Sequence, residues 1–137
     1  KIIKIISKFS NSKKFIFDQS ADYLSNYGNS CCLITDMSGT AYTYAFFTLK
    51  PVIFYSKNEA KLRNHQLSKL SYFKDRKNIG TIVIKLKDLP KQLNKILNKK
   101  SQFKKNIIKT RNKISYLGSS RKKILNEINS ILSQSSH

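Results

Sequence analysis

The sequence has no tryptophan, one methionine, two prolines, two cysteines and four glycines in 137 residues. So little proline and glycine excludes a collagen-like or low-complexity chain. Two cysteines cannot staple a small secreted scaffold. They are adjacent, Cys31 and Cys32, and no further cysteine stands at metal-ligand spacing. Neighbours on a strand point to opposite faces, so the pair reads as buried structural thiols of a reducing cytoplasm. No run of about 18 apolar residues exists to span a membrane, and no signal peptide is visible. The chain opens on Lys1 rather than methionine, which is expected of a piece of a longer protein.

Acidic residues are the other scarcity. Seven of them face 27 lysines and arginines, a formal charge of +20. The imbalance is uneven: residues 1–60 hold seven bases and four acids, residues 61–137 twenty and three. Such a field attracts nucleic acid, anionic lipid or phosphorylated ligands. Abundant lysine, asparagine and isoleucine also fit an AT-rich codon choice, which makes a merely solvated surface the competing explanation. Hydrophobic residues, at 39%, suffice for one folded domain over 1–137.

The most informative stretch is Cys31 to Ser56. Cys31–Thr35 is a continuous apolar run, expected of a strand buried on both faces, as in parallel sheets. Asp36, Met37, Ser38, Gly39 and Thr40 break it with turn residues, Ser38 as helix cap and Gly39 permitting close backbone approach. Ala41–Leu49 has helical length, Lys50 and Pro51 stop it, and Val52–Tyr55 is a second buried strand. A strand, turn and helix in that order leave bare N–H groups and a positive dipole end at the sheet's carboxyl edge. That is an anion site, most often for phosphate.

Elsewhere, Ile2, Ile5, Ile6 and Phe9 mark an amphipathic helix, and Lys14–Asp18 reads as a short strand. Ser20 or Asp22 caps a short helix through Tyr23, Leu24 and Tyr27 that Gly28 closes. Asn58–Lys69 offers one weak helical face, Ser71–Asp75 is loop, and Thr81–Leu86 is a strand. Asp88 caps a helix with Pro90 early in it and a stripe of Leu89, Leu93, Ile96 and Leu97. Residues 101–117 repeat the helical pattern. Arg121–Leu132 is a last helix with Ile124, Leu125, Ile128 and Leu132 facing inward, and Ser133–His137 is a tail. The alternation predicts an α/β fold: a Rossmann-like parallel sheet with helices on both faces, followed by C-terminal helices.

The central unit resembles the CDP-glycerol glycerophosphotransferases and, more broadly, the C-terminal, donor-binding half of GT-B glycosyltransferases. That family has a threonine-aspartate-aromatic-serine-serine turn, an aromatic-aspartate-aromatic helical patch and a Lys/Arg-Pro-Val/Ile-Ile-Phe-Tyr strand. Here Leu33-Ile34-Thr35-Asp36-Met37-Ser38-Gly39, Tyr42-Thr43-Tyr44-Ala45 and Lys50-Pro51-Val52-Ile53-Phe54-Tyr55 stand in those places. Tyr72-Phe73 with Ile79–Val83, and Gly118-Ser119-Ser120-Arg121, are weaker echoes. Gly39 and Thr43 depart from the pattern. Ser38-Gly39-Thr40-Ala41 is instead similar to the turn of other GT-B and capsule-polysaccharide transferases, which carry a glutamate where this chain has Tyr44.

The resemblance implies a transferase of glycosyl or polyol-phosphate groups in cell-surface polysaccharide or teichoic-acid-like polymer synthesis. Asp36, Ser38, Gly39 and Thr40 would bind the donor: CDP-glycerol, CDP-ribitol or a nucleotide sugar. It implies an N-terminal acceptor domain in the same chain, without which this part is inactive, and a cytoplasmic location, peripheral at the inner face of the plasma membrane. No DxD-like acidic pair is present, so neither metal nor cofactor is expected. No catalytic residue is assigned: His65 reads as surface. Tyr72 and Phe73 are candidates to stack on a base, against ordinary packing, and Ser119 and Arg121 to reach a phosphate, against helix capping. The alternative is a basic α/β module that binds nucleic acid without catalysis. Against it stand the lack of a zinc pattern, an RNP-like strand or a convincing helix-turn-helix. The lysines at 91, 95, 99, 104 and 109 read as a solvated helix face.

Overall fold

A computed structural model describes residues 2–134. The chain runs α1 (Ile2–Phe9), α2 (Tyr23–Asn29), β1 (Leu33–Thr35), α3 (Thr40–Thr48), β2 (Val52–Tyr55), α4 (Glu59–Arg63), α5 (Ser71–Lys74), α6 (Arg76–Ile79), β3 (Gly80–Val83), α7 (Leu89–Asn98), α8 (Lys100–Arg111) and α9 (Ser120–Gln134). Short 3-10 turns cover Gln66–Lys69 and Leu86–Asp88. The strands form one parallel sheet in the order β1-β2-β3, with Leu33 opposite Val52 and Val52 opposite Gly80.

The pleat of β2 explains the layers. Alternate residues face opposite sides of a sheet. Val52 and Phe54 enter one core with Ala41, Tyr44 and Ala45 of α3, Ile79 of α6 and Ile107 of α8. Ile53 enters a second core with Val83 of β3 and Ile96 of α7, flanked by Leu89 and Leu93. Helices therefore cover both faces, as expected. Each fully buried valine, isoleucine or phenylalanine among these contributes about 1.5–3 kcal/mol. The stripe read on α7 is the one that packs, and Pro90 sits in its first turn.

The helix before β1 is held at both ends. The Asp22 carboxylate accepts from the Leu24 N–H at 3.1 Å. At the other end, Ser30 rather than Gly28 closes it. There the Lys50 ammonium donates to the Gly28 and Ser30 carbonyls at 2.6 and 2.7 Å. The lysine of the Lys-Pro strand signature thus ties the end of α2 to the start of β2. Replacing Asp22 with alanine should cost about 1 kcal/mol. Urea unfolding measures this, and an unchanged midpoint would remove the cap from the account.

Several expectations need correction. Lys14–Asp18 is not a strand. A strand needs a ladder partner, and this segment turns instead: the Asp18 carboxylate accepts from the Ser20 N–H at 2.8 Å and from the Asn26 side chain. β1 is shorter than Cys31–Thr35 and is not buried on both faces. It lies at the sheet edge, where Ile34 is 46% exposed. Cys31 is exposed; Cys32 is half-buried, and burial, then Cys31 beside it, pushes its thiol up to about 11. The helix read over 101–117 stops at Arg111, and Ser71–Asp75 is largely helical. α9 buries none of its residues, and Ile124, Leu125, Ile128 and Leu132 are exposed. Positions 135–137 of the expected tail lie outside the described residues.

Candidate functional site

β1 ends at Thr35 and α3 begins at Thr40, so Asp36–Gly39 form the turn at the carboxyl edge of the sheet. The first helical bonds are already made: Ala41 N–H donates to Ser38 O at 3.2 Å and Tyr42 N–H to Gly39 O at 3.0 Å. The Ser38 hydroxyl oxygen accepts from the Thr40 N–H at 3.3 Å. Ser38 is thus the side-chain cap expected of it, although Gly39 occupies the N-cap position. That geometry leaves the Ser38 O–H proton free to donate outward.

Among the described residues, no protein group accepts from the Ser38 or Gly39 N–H, and no carboxylate folds over them. The space above is open: a Cβ built on Gly39 would meet nothing within 4 Å. Gly39 has ordinary helical φ of −58°. The glycine is therefore not required by backbone conformation, and what it provides is room. Gly39 and Thr40 are exposed and Ser38 half-buried. Bare amides at the start of a nine-residue helix attract anions through the partial positive charge of unpaired N–H groups.

Asp36 is also exposed. Its carboxylate accepts from the Thr35 hydroxyl at 3.5 Å and, among the described residues, caps no backbone N–H. This carboxylate can therefore accept a hydrogen bond from outside the chain.

What fixes the turn from behind was not anticipated. The Tyr72 hydroxyl donates to the Met37 carbonyl at 3.3 Å, and the Tyr42 hydroxyl donates to the Tyr72 carbonyl. The two rings lie 4.7 Å apart, tilted by 35°. Burial raises both hydroxyls above the usual tyrosine range; Asp75 adds to this at Tyr42, while at Tyr72 Arg76 opposes it and Asp36 adds to it. They remain neutral donors at physiological pH. Tyr72 is thus a packing residue, and Phe73 lies under the Arg76 guanidinium at 3.7 Å. Both rings are thus packed against another side chain. The signal available in the sequence was the aromatic at 42, one turn into α3, but nothing there names its partner 30 residues on.

The remaining candidates do not join the turn. Ser119 and Ser120 donate their hydroxyls back to the Tyr116 carbonyl at 3.4 and 2.8 Å, so among the described residues neither caps α9 by accepting from one of its N–H groups, and the helix-cap reading is corrected. His65 is exposed just after α4. The lysines at 91, 95, 99, 104 and 109 are all exposed.

A parallel sheet clad on both faces, with a strand-to-helix turn at its carboxyl edge, defines an open Rossmann-like half-fold. The chain belongs to the CDP-glycerol:poly(glycerophosphate) glycerophosphotransferase family, whose model matches residues 2–130. No curated protein and no solved structure matches it. Its family is therefore one of GT-B-type transferases, and the glycerophosphotransferase-like role in cell-surface polymer synthesis comes with that membership.

Proposed function

We propose that this chain binds the nucleotide-activated donor, CDP-glycerol, at Asp36–Thr40 and holds its diphosphate for transfer of the glycerol-phosphate group. The observation that carries the reading is the pair of N–H groups at Ser38 and Gly39 that no protein group claims among the described residues, beside the open space at the Gly39 Cα. The amides and the Ser38 and Thr40 hydroxyls donate to diphosphate oxygens. As an acceptor hydroxyl attacks the glycerol-bearing phosphorus, the bond to the bridging oxygen breaks and negative charge gathers on the departing CMP. Fixed donors aimed at that charge strengthen as it grows. Asp36 accepts from a donor hydroxyl. The acceptor and its base come from another domain of the protein, and the exposed lysines suit an anionic membrane at the inner face of the plasma membrane.

Calorimetric titration with CDP-glycerol tests this. A hydrogen bond to a charged group contributes about 1.5–3 kcal/mol, so Ser38→Ala should weaken binding by about tenfold or more. Thr40→Val should weaken it in the same direction. Wild-type affinity in both variants would refute the assignment. Affinity that ignores the nucleotide and collapses as salt rises would favour a non-specific nucleic-acid binder instead.

A further inference from the structure

The turn between β1 and α3 is clamped at both ends by one residue of a distant segment. Met37 stands within the turn, and Tyr42 lies in the first turn of α3 after it. Tyr72 of α5 touches both. Its hydroxyl donates to the Met37 carbonyl at 3.3 Å, and its own carbonyl accepts from the Tyr42 hydroxyl. The Tyr42 ring lies 4.7 Å from the Tyr72 ring, which restricts the rotamers open to Tyr72. The next residue is anchored as well. The Phe73 carbonyl accepts from Nε of Arg76 at 3.2 Å, and Arg76 is fixed on the buried Glu59 carboxylate. Burial raises the Tyr72 hydroxyl above the usual tyrosine range, so it stays a donor.

The Met37 carbonyl and the Ser38 N–H belong to one peptide unit. A trans peptide is planar, and its C=O and N–H point in opposite directions. A carbonyl held toward Tyr72 therefore turns the Ser38 N–H away from the protein's own groups. We propose that Tyr72 is a positioning residue for the anion site, its hydroxyl holding the Met37 carbonyl so that the Ser38 N–H is aimed at the donor's diphosphate. This rests on the reading of the turn as the diphosphate site. An unheld peptide would have to find that orientation on binding; a held one has it beforehand, which lowers the cost of association. The Gly39 N–H belongs to the following peptide unit, whose Ser38 carbonyl is held by the Ala41 N–H at 3.2 Å instead. Of the two amides, only that of Ser38 depends on Tyr72.

The test titrates CDP-glycerol into the 137-residue chain and its variants, with affinities from calorimetry and amide shifts from NMR. Tyr72→Phe removes the hydroxyl and keeps the ring against Tyr42. The net worth of one neutral hydrogen bond corresponds to about 2- to 13-fold in affinity, and Tyr72→Phe should bind more weakly by that factor. At saturation the shift of the Ser38 amide should shrink while that of Gly39 is kept. Asp22→Ala, which loosens α2 and leaves the turn's contacts intact, should bind like the wild type. Should Tyr72→Phe fail to fold, Tyr42→Phe takes its place: it releases the Tyr72 carbonyl and should weaken binding and the Ser38 shift in the same direction. Weakening of less than about twofold overturns the positioning role and leaves the turn standing. So does an equal loss of shift at Ser38 and Gly39, or a loss in Asp22→Ala as large as that in Tyr72→Phe. If the wild type itself shows no shift at residues 37–40, both readings fall together.

Discussion

Gly80→Ala should abolish the folded sheet. Gly80 opens β3 directly opposite Val52 of β2, where a Cβ would stand 1.9 Å from the Val52 carbonyl oxygen and 2.7 Å from its carbon. Both atoms are backbone, in a strand whose Val52, Ile53 and Phe54 are fully buried. No flexible side chain can yield. The φ of −174° is extended and open to any residue, so the requirement for glycine comes from contact alone. Relief means separating β2 from β3, the pairing on which both cores rest. A loss beyond about 4–5 kcal/mol is expected, enough to unfold a domain of ordinary stability. Circular dichroism and an amide NMR spectrum decide it: the variant should lack dispersed signals. A Gly80→Ala protein melting near the wild-type temperature would contradict the packing described.

Arg76→Ala should cost about 3–5 kcal/mol. Arg76 is 1% exposed and its guanidinium meets the buried Glu59 carboxylate through two contacts, Nη2 to Oε1 at 2.8 Å and Nη1 to Oε2 at 3.2 Å. Its Nε donates to the Phe73 carbonyl at 3.2 Å, and Phe73 covers its face. The pair joins α4 to α6 across the connection between β2 and β3. Removing the arginine strands a carboxylate out of water, which is where the cost lies. Replacing both partners with methionine should recover much of it, because no buried charge is then left unpaired. Equal losses in the single and double variants would show that packing, not charge, dominates.

The same pair sets a pH dependence. Burial raises the Glu59 carboxyl, but hydrogen bonds from Arg76 and Arg63 outweigh it and hold the group below its ordinary value. A depressed folded-state pKa means stability that is fully present above the unfolded carboxyl pKa of about 4.3 and is lost as pH falls through the folded value. Unfolding midpoints measured downward from pH 6 should therefore drop more steeply in the wild type than in the double methionine variant.

What could be read from residues alone follows the range of each interaction. The strand, turn, helix and strand over 33–55 were legible because each piece is punctuated locally, by Asp36–Gly39 on one side and Pro51 on the other. The Asp22 cap and the stripe of α7 were legible for the same reason. Contacts that join distant positions were not. Tyr42 with Tyr72, Glu59 with Arg76 and Gly80 with Val52 each pair residues 17 to 30 apart, through a fold that must exist first. Periodicity misled at α9, since a 3.6-residue repeat shows that a helix has an apolar face and not what lies against it. At Lys14–Asp18 the apolar pattern was that of a strand, but among the described residues no neighbour supplies the ladder. In the site, Ser38, Gly39 and Thr40 came from sequence; the openness of the turn and the tyrosines that brace it came only from the structure.

The central claim is that the turn between β1 and α3 receives the donor's diphosphate, and amide NMR during titration with CDP-glycerol measures it most directly. The account predicts saturable shifts that are largest at residues 37–40, persist at elevated salt and are reduced in Ser38→Ala. Shifts scattered over the exposed lysines of 91–109 and erased by salt, with residues 37–40 unmoved, would contradict it.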